Sequence, residues 1–288
     1  MTGVLRFLKP RNAAPLDRPK LELSGPVLVS AFEALVSGCE AQGGVERYID
    51  ALKLKAELFQ TTLDPAAELQ VDPFKGLCAF MASVRRRVGA HLEQPAFGLM
   101  RSAIIELLEQ KNDTSGTTAR VQRFCDHFPT DKRHRWVRDL AGELLHGVDP
   151  ERYPLMTRWI WDTKANTGVI REIWYGDDVD SITIVVPDGY ETYLMLREEL
   201  SQFLSNNGVF NDVLYYVDLL CAQIYANYIG AQGSCYLRAD FSTAEDPMQH
   251  TRRLLGLDGV KAGSQRTRLK TIDGQAFVLE DIRLLTES

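Results

Sequence analysis

From Ser24 onward, apolar residues return every three or four positions, the spacing of helices that bury one face. Ser24-Gly25-Pro26 supplies a start signal, and Val27, Ala31, Ala34 and Leu35 follow it. Gly43-Gly44 breaks the run, and Tyr48, Leu52, Lys55 and Phe59 mark a second helix. Asp64-Pro65 and Asp72-Pro73 each read as an N-cap followed by proline at the first helical position. Leu77, Phe80, Met81, Val84 and Val88 line a helix opened by Pro73; Leu99, Ile104, Leu107 and Leu108 line one opened by Pro95. Lys111–Thr117 is a polar loop, and the spacing predicts two shorter helices at about 118–128 and 131–146.

The pattern changes near residue 177. Ser181–Val186, SITIVV, is β-branched and bounded by Asp177-Asp178 and Pro187-Asp188-Gly189, which predicts a strand. Helices are expected at about 190–205 and 211–231, antiparallel across Ser205-Asn206-Asn207-Gly208. A second strand is expected near 234–240, and a short helix from Asp246-Pro247 to about Gly256. RTRLKTIDGQAFVLEDIRLL reads as a hairpin turned at Asp273-Gly274. The expected fold is therefore mainly α: a multi-helix array with a small antiparallel β element, a hairpin, in the C-terminal third. Residues 1–25 read as a flexible basic arm and 26–176 as a helical domain. Residues 177–288 read as an α+β part packed on that domain, or continuous with it.

Composition narrows the class. With 45% apolar and 25% charged residues among 288, the chain has material for a packed core. Cys39, Cys78, Cys125, Cys221 and Cys235 are scattered, which argues against a disulfide framework or a structural zinc site. The start lacks the apolar stretch of a secretory signal, and no window is apolar enough to span a membrane, so a cytoplasmic protein is expected. The net charge of −6 means an anionic partner would need a local basic patch. The best one is 250–270, with Arg252, Arg253, Lys261, Arg266, Arg268 and Lys270. Arg85-Arg86-Arg87 and Lys132-Arg133-His134-Arg135 are smaller.

Few residues suggest chemistry. Asp218 lies inside an apolar stripe of Leu214, Val217, Cys221, Ile224, Tyr225 and Tyr228, about 40° from Leu214 and about 20° from Tyr225. A carboxylate there needs an Arg, a tyrosine hydroxyl or a backbone amide as partner, or else acts as a general base in a cleft lined by Tyr215, Tyr216, Tyr225 and Tyr228. Glu143-Leu-Leu-His146 has a di-iron spacing, but the chain has no second such pair, and His146 before Gly147 reads as a helix-end residue. Asp177-Asp178-Val179-Asp180 and Asn211-Asp212-Val213 resemble the magnesium motifs of helical prenyl and terpene enzymes. Tyr215 and Leu219 occupy the remaining ligand positions, so the ligand set is incomplete. No metal is implied, and no cofactor can be named.

RWIWDTKANTGVIREIW, Arg158 to Trp174, holds three of the four tryptophans. The preceding LLHGVDPERYPLMTRW resembles a segment of helical DNA-glycosylase-type proteins, in which a proline turn is followed by a helix carrying an acidic residue to a cleft. The family's helix-hairpin-helix glycines and catalytic lysine have no counterpart here. A helix from Pro154 would set Trp159 and Trp161 about 200° apart, so they face different neighbours, with Trp161 turned out beside Asp162 and Lys164. The expectation is an accessory protein that binds a protein partner or a compact, small anionic ligand. The surfaces would be an aromatic corner (Trp159, Trp161, Asp162, Lys164, Asn166, Trp174) and a tyrosine face (Tyr215, Tyr225, Tyr228), with Arg252 and Arg253 holding charge. One alternative is an enzyme on an anionic, nucleotide-like substrate with Asp218 as base and Lys164 or Arg252 nearby. The other is nucleic-acid binding through 250–270, which is not favoured.

Overall fold

The computed structural model describes residues 19–40, 43–176, 179, 181–236, 248–257, 268–270 and 276–278. The N-terminal arm up to residue 18, three of the four residues of the 177–180 aspartate turn, and the 237–247 and 258–267 segments lie outside the described residues, as does the turn at Asp273-Gly274.

The described chain is mainly helical. In order come α1 (Gly25–Glu40), α2 (Glu46–Leu63), α3 (Val71–Ala79), α4 (Ala96–Glu109), α5 (Thr117–Asp126), α6 (Trp136–Val148), α7 (Val169–Glu172), α8 (Tyr190–Asn206), α9 (Val213–Tyr236) and α10 (Gln249–Leu254). One apolar cluster runs through them from Leu28 to Leu257. α6 and α9 are its two central rods. α6 packs on α2, α4 and α5; α9 packs on α1, α2, α7, α8 and α10. Residues 217–224 of α9 are buried on every side, as a helix surrounded by others requires. Among the described residues no helix is long and apolar enough to cross a membrane.

Several expectations are corrected. The helix placed at Pro73 starts two residues earlier, at Val71, and stops at Ala79; Asp72 makes no cap. Phe80, Met81, Val84 and Val88 are buried as their spacing suggests, but they sit on a chain of turns. Among the described residues no strand lies beside Ser181–Val186, and the segment itself is not assigned as a strand. Its alternation survives, with Ile184 and Val186 buried and Val185 91% exposed. Side chains take the place of a ladder: Asn166 donates to the Ile182 carbonyl and accepts from the Ile184 amide, while Trp161 and Thr163 both donate to the Val186 carbonyl. Of the second strand expected at 234–240, residues 234–236 belong to α9, which runs on to Tyr236, and 237–240 lie outside the described residues. The small antiparallel sheet expected of the C-terminal third is therefore not supported. Between strands, the described residues show only a three-residue pairing of Arg268–Lys270 with Ala276–Val278.

Gly256 ends the described C-terminal helix in a left-handed conformation, φ +76°. A Cβ there would lie 1.7 Å from the Phe80 carbonyl oxygen, so the α10 terminus docks on the α3 terminus only because the side chain is absent. Gly116 has open space around it and ordinary backbone angles. Gly256→Ala is expected to lower stability by about 3 kcal/mol or more, through overpacking and left-handed strain together. Gly116→Ala is expected to stay within about 0.5 kcal/mol of wild type. Urea unfolding midpoints of the two variants check the contrast.

Candidate functional site

α6 carries Asp139, Glu143 and His146, spaced four and three residues apart and so aligned along one face. That face is turned inward, and each side chain meets a partner from a different part of the fold. Asp139 accepts a two-pronged contact from the Arg158 guanidinium at 2.7 and 3.1 Å, and also the Arg158 amide at 2.9 Å. Glu143 pairs with Lys55 of α2 at 3.1 Å, and Lys55 also donates to the Leu255 carbonyl at 3.0 Å. His146 pairs through Nε2 with Asp218 of α9 at 3.1 Å.

This arrangement answers the two questions raised by Glu143 and Asp218. The Glu143–His146 spacing does not build a metal centre, because the two side chains turn to different partners. Among the described residues, no group of three or more His, Cys, Asp or Glu is placed to hold a metal ion. His146 is not a solvent-facing helix end: its side chain is 12% exposed. Its Nδ1 lies 2.8 Å from the Tyr153 carbonyl, which can only accept, while Nε2 faces a carboxylate. Both ring nitrogens therefore donate, and the ring is an imidazolium. Burial works against that charge, but the Asp218 carboxylate and the Tyr153 carbonyl outweigh it and raise the His146 pKa above its ordinary value. Burial pushes the Glu143 carboxyl up, and Lys55 opposes it.

His146 and Asp218 line a small cavity with Leu155, Tyr193, Arg197 and Cys221. The space open to the centre of a water molecule is about 20 Å³, room for one or two waters. Its chemistry is closed. Burial raises the Cys221 thiol well above its usual range, with the Asp218 charge adding to the effect. Burial likewise raises the Tyr193 hydroxyl, which donates to the Trp161 carbonyl at 2.8 Å. Arg197 donates to the Pro150 carbonyl. Both imidazole nitrogens are occupied and the thiol pKa is raised, the opposite of what activates a cysteine nucleophile. Lys164 is exposed and does not line it.

The tryptophan segment is not a helix–turn–helix corner. Residues 157–170 fold back on themselves, with Asp162 and Thr167 exchanging backbone hydrogen bonds. Asn166 takes the left-handed conformation at φ 52°, which asparagine tolerates. Gly168 follows at φ 123°, where a Cβ would lie 2.6 Å from the Ile160 carbonyl oxygen. The two indoles do face different ways, but the inward one is Trp161. It is fully buried and donates to Val186. Helical arithmetic misassigned it because the segment is not helical. Asp162 is buried and paired with Arg135 at 2.6 Å.

Trp159 is the half-buried indole. It sits 6.0 Å from the Tyr225 ring, and Tyr225 sits 5.6 Å from Tyr228. All three rings are part exposed, so α9 and the tryptophan turn together present a row of aromatics. Trp174 is half-buried and bridges to Leu23, while its neighbour Tyr175 is 67% exposed. Tyr215 is half-buried near the start of α9, more than two turns from this row. In the basic stretches, Arg252 and Arg85 are buried and therefore leave the patches; Arg253 is exposed.

The pairs centred on Lys55, Arg158 and His146 were missed at the sequence level. One signal was present: Lys55, like Asp218, falls within an apolar stripe.

Removing either member of the His146–Asp218 pair leaves a buried charge uncompensated, so His146→Gln or Asp218→Asn is expected to cost about 3 kcal/mol at pH 6. The pH dependence has a definite sign. His146 has a folded-state pKa raised above its unfolded value, so its contribution is complete below about pH 6.5 and lost as pH rises through the folded value. The gap between wild type and Asp218→Asn should narrow from pH 6 toward pH 9, as read by urea unfolding across that range; a widening gap would show that the imidazolium is not the stabilised form. No known protein family, curated protein or solved structure matches the chain.

Proposed function

We propose that this protein is an accessory binding protein that recognises a protein partner through the row Trp159–Tyr225–Tyr228. The single observation that carries this reading is the row itself: three part-exposed rings, successive centroids 5.6–6.0 Å apart, drawn from two segments more than sixty residues apart. Tryptophan and tyrosine bring a large apolar area with few rotatable bonds, which makes them frequent centres of binding energy. Burial raises the pKa of Tyr225, the middle ring of the row, so its hydroxyl is a neutral donor and acceptor.

Three side chains named from the sequence take supporting roles in this reading. Trp161, Asp162 and Asn166 hold the turn from inside, and their substitution should act through stability. The enzyme alternative draws no support from the geometry. Asp218 is committed to His146, the adjoining space suits a water or two, and Lys164 is elsewhere.

Affinity capture from the native host, quantified by mass spectrometry, tests the reading with wild type, Trp159→Ala and Trp159→Ala/Tyr228→Ala. At least one partner should be recovered about tenfold less by the double variant, corresponding to about 1.4 kcal/mol of binding energy. The melting temperature of that variant should stay within a few degrees of wild type. Unchanged recovery of every partner by a folded double variant would end the proposal.

A further inference from the structure

Two of the three basic stretches in the sequence meet in space. The ring of His91 lies 5.6 Å from that of His134, and also 5.7 Å from Phe128 and 5.3 Å from Trp136. This aromatic contact docks the Arg85–His91 turn against the loop between α5 and α6. Arg87 precedes His91 by four residues and Arg133 adjoins His134, so this contact brings the two basic turns to the same part of the fold.

Each turn is held rigid from within. Arg85 is buried; its guanidinium donates to the Ala79 carbonyl and its amide to the Met81 carbonyl. The Asp131 carboxylate accepts from the Arg133 amide at 2.7 Å, the His134 amide at 3.1 Å and the His134 ring at 2.9 Å. What these turns display is four exposed cations: Arg86, Arg87, Lys132 and Arg133. None of the four makes a side-chain hydrogen bond or ion pair among the described residues. Nearby arginines behave differently: Arg123 pairs with Glu106, Arg135 with Asp162 and Arg138 with Asp188.

We propose that the Arg86-Arg87 and Lys132-Arg133 turns form one binding surface for the phosphodiester backbone of nucleic acid. Four unpaired cations on a chain of net charge −6 are a local reversal of sign, held on backbone that needs no ordering to bind. Three of the four are guanidinium forks, which match phosphate oxygens two at a time. The cations are spread over two turns, which suits successive phosphates along a strand better than one compact ion. No base-reading element accompanies them, so binding is sequence-independent and strongly salt-dependent. The proposal is independent of the aromatic row.

The test uses the full chain and a fluorescein-labelled 16-base-pair duplex, with anisotropy titrations at 50 and 200 mM NaCl. Four phosphate contacts predict an affinity loss of about 100-fold over that fourfold change in salt. Arg86→Glu/Arg87→Glu and Lys132→Glu/Arg133→Glu, on separate turns, should each weaken binding at 50 mM by tenfold or more with an unchanged circular dichroism spectrum. No binding at 50 mM, or affinity within twofold of wild type in both folded variants, overturns the assignment. Displacement of the duplex by poly-glutamate at equal charge concentration also overturns it, in favour of an acidic protein face.

Discussion

The inward charged face of α6 is the constraint to which the rest of the fold conforms. Asp139, Glu143 and His146 place three ionisable groups on a helix that is otherwise almost wholly buried. A charge in that position costs several kcal/mol unless paired and hydrogen-bonded. Each partner comes from a different direction: Arg158 from the tryptophan turn, Lys55 from α2, Asp218 from α9. Apolar contact alone would let these elements slide with little penalty. A sliding step that separates Lys55 from Glu143 strands both, and the Leu255 carbonyl as well. The three pairs thus act as register pins, and their value lies in what misplacement would cost more than in net stability.

The same economy explains the 157–186 region, where side chains replace regular backbone pairing. Trp161 is usually thought of as apolar mass, yet here its indole nitrogen closes the Val186 carbonyl while its own carbonyl accepts from Tyr193. Asn166 satisfies two backbone groups of the extended segment from one amide. An unpartnered extended segment needs such donors, since its buried carbonyls find no neighbouring strand. The polar string between the tryptophans is therefore largely committed to structure. The indole nitrogen of Trp159 makes no hydrogen bond among the described residues, and its half-buried ring presents a face.

Much of the helical array was legible because it rests on periodicity, which survives without knowledge of the partner helix. Most expected helices fall within a few residues of their predicted positions, and the apolar residues from Leu77 to Val88 are buried even where the backbone is not helical. The misreadings share a cause. SITIVV has strand composition, but a strand also needs a neighbour, and pairing is a non-local fact. Trp159 and Trp161 were assigned by helical arithmetic to a segment whose backbone is set by Asn166, Gly168 and the Asp162–Thr167 exchange. For the candidate site, Asp218 and Lys55 were visible as charges on apolar faces. Their partners, His146 and Glu143, were visible only as a spacing whose first meaning was a metal site. Pairing across helices cannot be read from one helix.

The His146–Asp218 pair shows why burial and perturbed titration do not by themselves mark an active centre. An imidazole that works as a base must have a nitrogen free to take a proton; this one gives both, to a carboxylate and a carbonyl. An adjacent thiol becomes a nucleophile when a cation or base lowers its pKa. Cys221 is raised by burial and by a neighbouring negative charge. The same ingredients as a catalytic dyad, arranged with every hydrogen-bonding position filled, make a fastener. Groups with unfilled capacity lie instead at the surface, in the open ring faces of Trp159, Tyr225 and Tyr228 and in the four unpaired cations beside His91 and His134. Recognition requires unfilled capacity, so it is on those surfaces, more than in the buried network, that this fold has room for a partner.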